Sequence, residues 1–173
     1  PMKKEFAFRV DVSKKIGIGH LIRLIDLKKK LKILPFWLIK SENYEVKKYL
    51  SDRDKIFFIK NKSEEVKIIK NLKKNNIKKI VFDIAHNKNK NTSKIIKLYK
   101  KYNFKTISYE VSPKNLISDL NIIPYNYINK KNINKRKLFL GPEYLGIKNS
   151  KKNKLKKIKK KLIWIGGTDA FNL

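Results

Sequence analysis

The chain has 173 residues, enough for one domain with a substantial core and too few for two of ordinary size. Hydrophobic residues make up 41% and aromatics 11%, which excludes a disordered polyelectrolyte even at a formal net charge of +31. Cysteine is absent, so disulfides, Cys-based metal sites and thiol nucleophiles are excluded, and no apolar run reaches the length of a signal peptide or a bilayer span.

Residues 5–12, EFAFRVDV, alternate Phe6, Phe8 and Val10 with Ala7, Arg9 and Asp11, the pattern of a strand. Gly17 and Gly19 punctuate a loop, after which Leu21, Leu24, Ile25, Leu27 and Leu31 recur at helical spacing. The unit then repeats. ILPFWLIK (33–40) reads as a strand and NYEVKKYL (43–50) as a short helix capped by Ser41. KIFFIK (55–60) is a third strand, and Ser63, Glu65, Val66, Ile69 and Leu72 open a helix. IKKIVFDI (77–84) is the strand with the most buried character, followed by a helix capped by Thr92 or Ser93 that runs through Ile95, Ile96, Tyr99 and Tyr102. FKTISYE (104–110) is a fifth strand and DLNIIPY (119–125) a short sixth. Strands alternating with helices of this length predict right-handed crossovers, hence a doubly wound α/β domain with a parallel sheet, Rossmann-like in kind.

Toward the end the rhythm changes. Residues 126–137 are polar, LFLGPEYLG (138–146) is a short apolar element with a turn, and 149–161 is a basic linker or solvated helix. LIWIGGTDAFNL (162–173) reads as a strand feeding a Gly-Gly turn, the opening of a second α/β domain. The expected organisation is a Rossmann-like domain over 1–148, the basic segment, and the first element of a truncated second domain.

Only four of the 45 basic residues are arginine, at 9, 23, 53 and 136, and His20 and His86 are the two histidines. His20 and Arg23 therefore concentrate scarce chemistry beside the glycine loop. In open α/β sheets, ligands bind beyond the carboxyl ends of the strands, where glycine lets backbone approach a phosphate and the helix N-terminus favours negative charge. Gly17 and Gly19 hold that place. A dinucleotide fingerprint needs a third small residue at position 22, which is Ile22, so NAD and FAD are not expected, although Glu42 near the end of the second strand could serve a ribose. No cofactor and no metal is expected.

A histidine in the first helical turn is kept neutral by the positive helix end and suits proton abstraction. Asp11, at the end of the first strand, could orient His20 or hold the loop. Arg23 shares the helix face of His20 and could reach a phosphate or pin the loop. The plainer alternative is structural, with His20 closing the loop and Arg23 paired to Asp11, and spacing leaves both open. Asp83, Glu110 and Ser112 follow strands in positions that suit either a site or a loop-fixing role. Trp37 and Trp164 read as core.

The stretch RVDVSKKIGIGHLIRLIDLKKKL resembles the N-terminal signature of the PseG/SpsG family, nucleotide-sugar hydrolases and spore-coat polysaccharide proteins with a GT-B glycosyltransferase-like fold. Arg9, Asp11, Ser13, Ile16, Gly17, Gly19, His20 and Arg23 carry the match. LFLGPEYLGIK is similar to the family's Gly-Pro-x-Tyr segment, and LIWIGGTDAFNL to its Gly-Gly-Thr-Asp turn followed by Asn-Leu. The resemblance implies metal-free release of UDP from a diacetamido-trideoxyhexose on the way to pseudaminic acid, with His20 as general base; Asp11 is the second catalytic candidate from its place at the end of the first strand, and the missing signal-peptide and bilayer-length runs lead to the expectation of a cytoplasmic protein. Gly17, Gly19, Arg23 and Asp83 would line the substrate, and Gly167, Thr168 and Asp169 would face it from the second domain. The family's Asp-His-Tyr after the fourth strand is here Asp83, Ile84, Ala85, with His86 next.

Three function classes follow. The first is the nucleotide-sugar hydrolase, or a glycosyltransferase using the same cleft, acting on a UDP-sugar. The second is a non-catalytic half that pairs with a separate C-terminal half or a fused domain. The third is a Lys-rich nucleic-acid binder, the weakest. Lys, Asn and Ile share A/T-rich codons, so nucleotide bias accounts for the charge, and basic residues do not interleave with aromatics as in single-strand binders.

Overall fold

Seven strands and three helices run through the residues that the computed structural model describes, namely 5–42, 45–84, 91–109, 117–124, 138–141 and 144. In chain order they are β1 (Phe6–Ser13), α1 (Gly19–Leu31), β2 (Phe36–Glu42), a 3₁₀ turn (Val46–Tyr49), β3 (Lys55–Phe58) and α2 (Lys62–Lys74). There follow β4 (Lys79–Asp83), α3 (Asn91–Lys101), β5 (Lys105–Tyr109), β6 (Leu120–Ile123) and β7 (Leu138–Leu140). All pairings are parallel, and the sheet order is β3-β2-β1-β4-β5-β6-β7. The order reverses between β1 and β4, the switch point of a Rossmann-like doubly wound sheet.

Alternation along the strands divides the core in two. On one face Phe8, Val10, Val12, Trp37, Ile39 and Val81 pack against Leu21 and Leu24 of α1 and Val46 of the 3₁₀ turn. On the other, Ala7, Leu38, Ile80 and Phe82 pack against Ile68, Ile69 and Leu72 of α2 and Ile96 and Tyr99 of α3. Trp37 is fully buried with Phe8 edge-on at 5.3 Å, as its apolar strand context predicts. β1 is covered on both sides, so even Arg9, on the polar side of the sequence alternation, is only 1% exposed. The short apolar segment expected at 138–146 supplies a seventh strand.

The helix starts differ from the sequence expectation. β2 runs on through Ser41 and the following helix is only the 3₁₀ turn, whose N-cap position is Glu45, so Ser41 belongs to the strand. The cap of α2 is Asn61, whose side chain accepts the Glu64 N–H at 2.9 Å while the Glu64 carboxylate accepts the Lys60 N–H at 2.9 Å. Ser63 lies inside that first turn, as Thr92 and Ser93 lie inside the first turn of α3.

The three helices end alike. Lys32, Asn76 and Asn103 adopt left-handed backbone, with φ of 50°, 56° and 57°. The next N–H in each case, from Ile33, Ile77 or Phe104, reaches back to a carbonyl five residues earlier, at 3.3, 3.0 and 3.4 Å. Each of those three side chains is buried, so every helix closes with a Schellman turn that tucks an apolar residue under its end. Among the described residues no helix is long and apolar enough to cross a membrane.

Candidate functional site

β1 ends at the switch point with Ser13, which organises the glycine loop. Its Oγ accepts the Ile16 N–H at 3.1 Å and its carbonyl accepts the Gly17 N–H at 2.7 Å. Closing so tight a turn puts Gly17 at φ 77°, a conformation that costs other residues free energy. Gly19 is different. It begins α1, and among the described residues no atom beyond its chain neighbours and its own helix backbone lies within 4 Å of the place its side chain would take, so packing does not demand a glycine there. The first turn of α1 carries no acidic residue and no side-chain cap bond.

At the start of α1, His20 and Arg23 lie side by side and both reach Asp83, the last residue of β4. His20 Nδ1 is 2.7 Å from Asp83 Oδ1. Arg23 donates from Nε to Oδ2 at 2.7 Å and from Nη2 to Oδ1 at 2.6 Å, a two-point grip on one carboxylate. Arg23 Nη2 is also 3.0 Å from His20 Nδ1. Tyr109, at the end of β5, lies beneath the guanidinium at 4.5 Å from Cζ to ring centroid. Asp83 is fully buried, and His20 and Arg23 retain 19% and 16% side-chain exposure.

The arrangement bears on the chemistry of the imidazole. Two neighbours compete for Nδ1: the Asp83 carboxylate, an acceptor only, at 2.7 Å calls for a proton there, and Arg23 Nη2, a donor only, at 3.0 Å calls for a lone pair. The Asp83 contact is the shorter, and Arg23 already spends Nη2 on Asp83 Oδ1 at 2.6 Å, so the arrangement favours Nδ1–H and leaves the basic lone pair on Nε2. Arg23 balances the charge of Asp83, which would otherwise be costly at complete burial.

Asp11 does not take the orienting role expected of it. Val10 pairs in register with Asp83, so both side chains project to the α1 face. Asp11 is one residue further along β1 and projects with Ala7 and Arg9 to the α2/α3 face, where its carboxylate accepts from Arg9 Nη1. Arg23 is thereby paired to Asp83 across the switch point, and the alternative that joined it to Asp11 is replaced as well.

The α2/α3 face holds its own polar group. Arg9 donates from Nε to Glu65 Oε1 at 2.9 Å and from Nη1 to the Val10 carbonyl at 3.0 Å, and Tyr99 Oη donates to the same Glu65 oxygen at 2.9 Å. Burial opposes the charge on Arg9, but Asp11 and Glu65 outweigh it and hold the guanidinium above its ordinary pKa. Burial and then the Glu65 charge push the Tyr99 hydroxyl well above its usual value.

The structure thus brings together His20, Arg23 and Asp83 beside Gly17 and Gly19, and sends Asp11 to the other face. Gly167, Thr168 and Asp169 lie outside the described residues, as do His86, Glu110, Ser112 and Trp164. Tyr109, Glu65 and Tyr99 join these groups without a motif of their own in the sequence. The signal for Tyr109 was its place at the carboxyl end of a central strand. The signal for Glu65 was an arginine inside β1 that needed a buried counter-charge. No protein-family model matches the chain, and no curated protein or solved structure matches it.

Proposed function

We propose that this chain supplies the sugar-side half of a nucleotide-sugar hydrolase of the PseG/SpsG type, with His20 as the general base. The observation that carries the reading is the contact of His20 Nδ1 with buried Asp83 at 2.7 Å, at the switch point and beside the glycine loop. It directs the basic nitrogen of the imidazole away from the protein's own carboxylate, the geometry a base needs.

In the proposed reaction a water attacks the anomeric carbon of a UDP-linked diacetamido-trideoxyhexose. The new C–O bond forms as the bond to the diphosphate oxygen breaks, UDP leaves with that electron pair, and the proton of the water passes to His20 Nε2. Asp83 and Arg23 act as positioning residues, Asp83 holding the tautomer and Arg23 holding Asp83. Gly17 and Gly19 leave backbone room for the sugar, and Gly167, Thr168 and Asp169 meet the nucleotide from the second domain.

The test is UDP release by this chain joined to a nucleotide-binding second domain, fused or supplied as a separate chain. The expected result is turnover that His20→Asn abolishes while the far-UV spectrum and unfolding midpoint stay the same. Unchanged turnover in that variant would overturn the assignment of the base.

A further inference from the structure

The most unusual group outside the His20 site is Arg9. It is 1% exposed, and its five N–H groups are unequally used: Nε and Nη1 are taken up by Glu65, Val10 and Asp11, while Nη2 has no hydrogen-bond partner among the described residues. Nη2 is not among the atoms sealed from solvent without a partner, so it remains open to water or to a ligand. Arg9 lines a cavity of about 560 Å³ on the α2/α3 face, a size typical of small-molecule sites.

The walls tell the ligand's character. Ile59, Ile84, Ile95 and Leu98 give an apolar lining, and Thr92 adds a buried hydroxyl. Around them stand six exposed lysines, Lys40, Lys60, Lys62, Lys94, Lys97 and Lys101, none of them in an ion pair among the described residues. The two acids of the lining, Asp11 and Glu65, are both engaged by Arg9. The cavity is therefore strongly cationic, with a spare arginine donor behind it and apolar walls that would be useless to an extended polyanion.

We infer that this cavity is a binding site for a small phosphorylated metabolite of sugar-phosphate size, its phosphoryl group held by Arg9 Nη2 and the lysines and its body against the isoleucines. The site lies on the opposite face of the sheet from His20 and does not depend on the hydrolase reading.

The test is a titration of the ¹⁵N-labelled 173-residue chain with glucose 1-phosphate, followed by amide shifts, with inorganic phosphate and neutral glucose alongside. The expected result is saturable shifts confined to the neighbourhood of Lys40, Asn61, Thr92 and Ile95, with glucose silent. Phosphate shifting the same amides identifies the phosphoryl group as the recognised part. The surface variant Lys40→Gln/Lys94→Gln/Lys97→Gln, which leaves the core untouched, should weaken binding at least about tenfold. Arg9→Gln/Glu65→Gln/Asp11→Asn, which removes the arginine together with both carboxylates it engages, should do the same if it folds. Shifts spread without saturation over lysine-bearing surface, an equal response to glucose, or unchanged affinity in the lysine variant would each overturn the proposal.

Discussion

Val10 of β1 and Asp83 of β4 are register partners across the switch point, and that pairing turns the Asp83 carboxylate toward α1, where it meets His20 and Arg23. The next residue of β1, Asp11, looks the other way and belongs to Arg9. Two charged groups at the carboxyl ends of the central strands are thus separated by the sheet itself, and each has its own helix layer.

The His20–Asp83 contact predicts a tautomer. In the folded chain the neutral imidazole carries its proton on Nδ1, which long-range ¹H–¹⁵N correlation spectra report directly. In Asp83→Asn the population moves toward the Nε2–H form, since an amide can donate to Nδ1. Turnover by the completed enzyme falls by about 10²–10⁴-fold. Breaking the buried pair also lowers stability by about 3 kcal/mol. An unchanged tautomer in the variant would mean that Asp83 does not set it.

The two loop glycines should respond oppositely to alanine. Gly17→Ala forces a side chain into φ 77° and lowers stability by about 1–2 kcal/mol. Gly19→Ala enters open space at the start of a helix and ranges from neutral to a gain of about 1 kcal/mol. Urea midpoints of the two variants decide the matter. A loss of turnover in Gly19→Ala without a loss of stability would mark close approach of the substrate.

Acid stability is expected to depend on Asp54. Burial raises its carboxyl, but hydrogen bonds from Lys28 Nζ at 2.6 and 2.7 Å, from the Ser51 N–H at 2.9 Å and from Trp37 Nε1 at 3.0 Å hold it below the ordinary carboxylate value. A group depressed in the folded state stabilises fully above its unfolded value of about 3.9 and loses that contribution as pH falls through the folded value. Asp119, held down against burial by Thr106 and Lys100, acts with the same sign. Unfolding free energies between about pH 5 and pH 2 should fall more steeply for wild type than for Asp54→Asn, the two curves converging at the acid end.

Of the three left-handed helix ends, one is occupied by a residue poorly suited to it. Asparagine tolerates that backbone and lysine does not, so Lys32→Gly should raise stability by about 0.5–1 kcal/mol and Asn76→Gly by less. Thermal melts of the two variants against wild type measure the difference. A loss in Lys32→Gly would show that the side chain contributes more than its backbone costs.

Periodicity made the fold legible. The alternation of strand and helix, with no hairpin signals, leaves little but a parallel doubly wound sheet, and the switch point follows from it. His20 and Arg23 were visible because both residue types are scarce in a lysine-rich chain. The partner of His20 was harder to see. Asp11 and Asp83 each end a strand, and only the β1–β4 register decides which carboxylate faces α1. Arg9 was hidden for a related reason, since alternation in a single strand suggests one buried face and one exposed face. Burial of both faces is a property of the assembled sheet. The helix begun at Ser63 is met to within one residue, whereas the caps expected at Thr92 or Ser93 fall inside α3, because several cap-competent residues stand in a row there.

The β1–β4 pairing also governs when the site comes into being. His20 and Asp83 are 63 residues apart in sequence, and β2, β3 and α2 must be traversed before β4 can lie beside β1. A contact so distant closes a long loop, whose entropy must be met before the contact gives anything back. The dyad is therefore expected to be absent from the folding transition state. Asp83→Asn should then raise the unfolding rate and leave the folding rate nearly unchanged, which denaturant dependence of both rates measures; a slowed folding limb would place the contact in the nucleus.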